Sequence, residues 1–189
     1  MKKIILFASG NGSNVENIIQ YFKNKPYVSV VGIFSNNQHA KVLERAENHK
    51  IYHQSFSKTA LNDGTVSEKI LALNPDLIVL AGFLLKFPET LIRAFPNKII
   101  NIHPALLPKY GGKGMYGNHV HQAILDNKEK ETGITIHFVN ENYDEGEFIL
   151  QKSINIEDCS TFEEIAAKVL KLEHKYFPEV IEKLLTQNK

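Results

Sequence analysis

Ile4-Ile5-Leu6-Phe7-Ala8-Ser9-Gly10-Asn11-Gly12-Ser13-Asn14 is the stretch on which the fold turns. Its first five residues are apolar without a break, which suits a strand buried on both faces, as in a parallel sheet covered by helices. The run stops at a glycine-rich turn, and helical spacing follows from Asn14 to Phe22. A strand, a tight turn and a helix in that order make up the first half of a crossover unit. Such crossovers are right-handed almost without exception.

Working outward, the same alternation recurs. Val28 to Phe34, Leu77 to Leu80 and Lys98 to Ile102 read as further buried strands, and Ala40 to Asn48 and Val66 to Leu73 as helices. The pattern changes after Ile102. A loop from Pro104 to Asn118 contains Pro108, Gly111, Gly112, Gly114 and Gly117, and a short helix follows over His119 to Asp126. Two strand-like runs, Ile134 to Val139 and Phe148 to Ile156, flank the turn-rich Asn140 to Gly146. A last amphipathic helix starts near Thr161, with Ser160 or Thr161 as N-cap and Glu163 or Glu164 completing a capping box. The expectation is one α/β domain over residues 1–189. It should be an open, mostly parallel twisted sheet of about seven strands with helices on both faces.

Composition narrows the function. The chain has 189 residues, with 22 Lys plus Arg against 21 Asp plus Glu, so its net charge is +1. No global field draws it to nucleic acid or to an acidic membrane. The apolar run at the N-terminus is shorter than a signal peptide needs, and no run approaches a membrane span. Cys159 is the single cysteine, which excludes an intramolecular disulfide and a multi-cysteine zinc site. A reducing, cytoplasmic setting fits, with no metal.

Three groups of residues can carry chemistry. The turn Ser9 to Asn14 offers free backbone N–H groups at a helix start, with Ser13 and Asn14 as side-chain donors and caps. Its spacing lacks the third glycine of a dinucleotide fingerprint and the Gly-Lys-Ser/Thr of a nucleotide-triphosphate loop, so a single phosphomonoester is the better ligand. Asn101-Ile102-His103-Pro104 ends a buried strand, and alternation puts Asn101 and His103 on one side. Asn supplies an amide donor for a developing oxyanion, and His exchanges a proton near neutral pH. Asp144 gains interest only if folding brings it to His103, where its charge would favour the imidazolium. His119 and His121 are too closely spaced for a metal on a helix, and His137, alternating with apolar residues, reads as structural.

These motifs resemble the phosphoribosylglycinamide branch of the folate-dependent formyltransferases. The resemblance rests on Ser9 to Asn14, Ala81-Gly82-Phe83, Asn101 to Lys109, Thr132-Gly133, His137-Phe138-Val139, Asp144 before Gly146, Ile149-Leu150-Gln151 and Glu173-His174. It implies a Rossmann-like fold and formyl transfer from 10-formyltetrahydrofolate, as co-substrate, to the amine of glycinamide ribonucleotide in purine synthesis. By position it makes Asn101, His103 and Asp144 catalytic and gives Gly12, Ser13, Asn14 and Glu173 to the ribonucleotide. Leu84, Leu85, Lys86 and Phe87, with Asn101, then hold the folate. The family contains both monomers and homodimers.

The chain departs from the family pattern twice. Gly111 to Gly117 is richer in glycine, and no arginine stands near Ser57 to Gly64, where Lys58 is the nearest cation. The competing readings are formyl transfer to another amine, such as an amino sugar nucleotide, hydrolysis of the formyl group, and a non-catalytic phosphate-ligand module. The last has no use for Asn101, His103 and Asp144 together.

Overall fold

The computed structural model describes residues 1–187. Its centre is a seven-stranded sheet ordered β3-β2-β1-β4-β5-β6-β7. Strands β1 (Lys2–Phe7), β2 (Val28–Ser35), β3 (His53–Ser55), β4 (Leu77–Leu80) and β5 (Ile99–His103) run parallel. Strands β6 (Glu131–Phe138) and β7 (Phe148–Asn155) extend the sheet antiparallel.

The alternation along β1 divides the core. Ile4 and Leu6 face one layer with Val15, Ile18, Val42, Val120 and Phe177, from α1 (Ser13–Phe22), α2 (Lys41–Asn48), α6 (Asn118–Asp126) and α7 (Phe162–Gln187). Ile5 and Phe7 face the other with Leu61, Ile70 and Leu91, from α3 (Lys58–Asn62), α4 (Thr65–Leu73) and α5 (Glu89–Ala94). Both faces of β1 are dry, which is why its sequence is apolar without alternation. Among the described residues no helix is long and apolar enough to cross a membrane.

The α/β sheet agrees with the sequence reading, but three elements were not expected: β3, α3 and α5. Each is short, and β3 is polar and leaves His53 and Ser55 exposed, so neither a buried run nor a long period marks it. The C-terminal capping box forms at Thr161 and Glu164. The Glu164 backbone N–H donates to Thr161 Oγ1 at 3.3 Å, and the Thr161 N–H donates to Glu164 Oε2 at 3.2 Å. The cap of α1 differs from expectation. Gly12 is the N-cap, in the left-handed region at φ 71, and neither Ser13 nor Asn14 caps through its side chain. A Cβ at residue 12 would strike Val42, so close helix packing and the backbone turn both select glycine there.

Candidate active site

The chain leaves β1 towards β2 and leaves β4 towards β5, so between β1 and β4 the connections diverge. Open α/β sheets bind ligands beyond the carboxyl ends of strands at such a switch point. A cavity of about 620 Å³ opens there, within the range of small-molecule sites. The turn after β1 contributes Ser9, Gly10 and Asn14 to its wall, and the segment after β4 contributes Leu84, Leu85, Lys86 and Phe87. Asn101 and His103 reach it from β5, Asp144 from the β6–β7 connection and Glu173 from α7. Gly12 and Ser13 adjoin this wall without lining it.

At one end lies a cluster of two histidines, an amide and a carboxylate. His103 Nδ1 stands 3.6 Å from Asp144 Oδ2, and His137 Nε2 stands 3.6 Å from Asp144 Oδ1. Asp144 also accepts the Gly112 backbone N–H at 2.9 Å. Hydrogen-bond chemistry fixes the tautomers, because a carbonyl oxygen only accepts. His103 Nε2 is 2.7 Å from Tyr110 O and must carry its proton, which leaves Nδ1, on the Asp144 side, as the basic position of the neutral ring. His137 Nδ1 is 2.8 Å from Phe138 O and must also be protonated. His137 Nε2 therefore accepts an N–H from Asn101 Nδ2 at 3.2 Å, while the same nitrogen reaches Asp144 Oδ1 only at 3.5 Å. The second amide hydrogen of Asn101 is thus weakly held and can turn to a ligand.

Two non-glycine residues hold left-handed backbone here, Tyr110 at φ 57 and Asp144 at φ 56. Aspartate tolerates that region and a bulky tyrosine does so rarely. The conformation of Tyr110 places its carbonyl on His103.

Burial opposes the effect expected of Asp144 on His103. Burial pushes the His103 imidazole below its ordinary value. Asp144 and the Tyr110 carbonyl push it up but do not prevail. For Asp144, burial pushes the pKa up, yet the two histidines that face it and the Gly112 N–H together bring it below the carboxylate range.

At the other end, Glu173 is buried and accepts one hydrogen bond, from Asn14 Nδ2 at 2.7 Å. Burial drives its pKa up to about 7. Among the described residues, two buried atoms of the cavity wall have no protein partner, Asn14 Oδ1 and His121 Nδ1. Burial takes His121 down to about 4. Behind the wall, Arg45 Nε donates to Asn11 O at 2.8 Å and pins the first turn.

His137, His121 and Arg45 are the residues that sequence reasoning passed over. For His137 a signal existed. The pair Thr135/His137 has the same two-residue spacing as Asn101/His103, and antiparallel pairing sets Asn101 against His137 and His103 against Thr135.

A family model described as formyl transferase matches residues 2–181. The chain belongs to the formyl transferase family. The phosphoribosylglycinamide formyltransferase of Bacillus subtilis is 38% identical to it over all of this chain and 97% of its own length. The chloroplastic enzyme of that name from Arabidopsis thaliana is 37% identical, and the alignment covers 95% of this chain and 64% of the plant protein. The crystal structure of the phosphoribosylglycinamide formyltransferase of Bacillus halodurans superposes with a TM-score of 0.89 at 31% identity, over all of this chain and 97% of that one. The resemblance drawn from the Ser9 and Asn101 motifs therefore holds, and so does the open, mostly parallel sheet it implied.

Proposed function

We propose that this formyl transferase moves the formyl group of 10-formyltetrahydrofolate to the amine of glycinamide ribonucleotide, in purine synthesis and in a cytoplasmic setting. The observation that carries the reading is one cavity joining Asn101, His103 and Asp144 at one end to Asn14 and Glu173 at the other. Two small substrates that must meet need such a connected site.

The residues divide the work. Glu173, Asn14 and the turn from Gly12 hold the ribonucleotide, with the unpartnered Asn14 Oδ1 free to accept from a ligand hydroxyl. The backbone of Leu84 to Phe87, beside Asn101, holds the folate. The amine attacks the formyl carbon, a C–N bond forms, and the carbonyl oxygen gains negative charge. Asn101 turns its second N–H to that oxygen. His103 arrives neutral, takes the amine proton at Nδ1, and is then stabilised by Asp144 on that side. The proton passes to the folate nitrogen as its bond to the formyl carbon breaks. His103 ends neutral again, so no group is consumed and no covalent enzyme adduct is needed.

A steady-state assay with both substrates tests the reading. Formation of deformylated folate that depends on the ribonucleotide, and is lost in His103→Ala, is the expected result. Release without the ribonucleotide would mean hydrolysis. A folded protein that binds folate but transfers nothing to this amine would require another acceptor.

A further inference from the structure

Ser9 is the residue where the two binding loops meet. Its backbone N–H donates to Gly82 O at 3.0 Å, and its Oγ accepts the Leu84 backbone N–H at 2.9 Å. The Oγ also lies 2.5 Å from Asn36 Oδ1 at the end of β2. An amide oxygen only accepts, so the single hydroxyl proton is committed to Asn36. A lone pair is therefore left facing Leu84. Asn36 sets the rotor, and Ser9 sets the peptide of Leu84.

Packing does not do the same job. Phe83 and Phe87 are buried in the aromatic group around Phe7, which anchors the segment at both ends. Leu84 between them is 45% exposed, so packing holds it loosely and the bond to the Ser9 hydroxyl aims its peptide. Loss of the hydroxyl should therefore leave the aromatic anchor in place and release the direction of the peptide.

We propose that Ser9, oriented by Asn36, is a positioning residue for the formyl donor, fixing the backbone of Leu84 to Phe87 against which the folate lies. This rests on the functional reading above, which gives that segment to the folate.

Ser9→Ala, Asn36→Ala and the double variant test it, with both KM values and the affinity for tetrahydrofolate measured in each. One neutral hydrogen bond contributes roughly three- to tenfold in affinity. The expected result is a folate KM raised by about that factor in each single variant, well beyond any change in the ribonucleotide KM. The double variant should be no worse than Ser9→Ala, because the two residues act in series. Equal rises in both KM values, additive losses, or an unmoved folate KM would overturn the proposal. If Ser9→Ala does not fold, Asn36→Ala decides alone, since it leaves the Ser9 hydroxyl in place but unaimed. Wild-type protein that binds no tetrahydrofolate would overturn the functional reading and this assignment with it, whereas binding with unaffected variants would overturn this assignment only.

Discussion

Asp144, half-buried, and Glu173, buried, are carboxylates of one cavity, and the fold treats them in opposite ways. Asp144 has a backbone N–H from Gly112 and two histidines within ion-pair distance, and these outweigh its burial. Glu173 has one amide N–H from Asn14, and burial prevails. Pairs of titratable groups whose surroundings separate their pKa values mark a division of roles. Asp144 is a fixed negative charge on which an imidazolium can form, and Glu173 is a carboxyl that exchanges its proton near neutrality. On the proposed reading, one stabilises charge as it appears and the other recognises a ligand.

The largest effect should come from the groups that Asp144 serves. Asn101→Ala or His103→Ala should cut turnover at least about a hundredfold, the usual cost of one oxyanion donor or positioned base. Circular dichroism should show the fold retained, because neither side chain belongs to the two apolar clusters that hold the sheet. Turnover near wild type in a folded variant would remove these residues from the chemistry.

Asp144→Asn breaks the comparison at its acidic end. Asp144 pushes the His103 pKa up against the downward pull of burial, so removing its charge must lower that pKa further. The acid limb of kcat/KM, which reports His103 losing its neutral form, should move to lower pH, and turnover should fall about tenfold for each pKa unit of lost imidazolium stabilisation. A limb that moves upward or stays fixed would show that His103 is not the titrating base.

His137→Ala sharpens the same end. It deletes the acceptor that holds Asn101 Nδ2 and one neighbour of Asp144, at a cost of about two- to tenfold in turnover, as for a single hydrogen bond. Unchanged turnover would return His137 to the structural role its alternation with Ile134 and Ile136 first suggested.

That case shows which parts of this molecule are legible in sequence. β1, β2, β4 and β5 announce themselves because burial on both faces forces continuous apolar runs, and Leu77–Leu80 is delimited to the residue. β3 escapes because an edge strand of three residues, with His53 and Ser55 exposed, buries almost nothing. Asn101 and His103 are readable as a polar pair closing an apolar strand. His137 is not readable alone, because its meaning lies in the register of β6 against β5. The state of His103 is harder still. The charge of Asp144 can be anticipated once the two are thought adjacent, but the depth of burial that outweighs it belongs to the folded chain.

Glu173→Gln tests the other end, and its effects should have opposite signs for binding and stability. In the unfolded chain the carboxyl titrates near 4.5, and in the folded protein burial raises it to about 7. Between those values the unfolded state releases a proton that the folded state keeps, so wild-type stability falls as pH rises through this window and then levels off. The substituted amide can still accept from Asn14 through its oxygen but never ionises. The variant should therefore gain in denaturation midpoint over wild type at pH 8 and lose that advantage near pH 4, while its ribonucleotide KM rises about tenfold or more, as expected for one lost charged hydrogen bond. Parallel stability curves across this range would mean that Glu173 is ionised in the folded protein at little cost, and the contrast with Asp144 would then be one of position and not of charge.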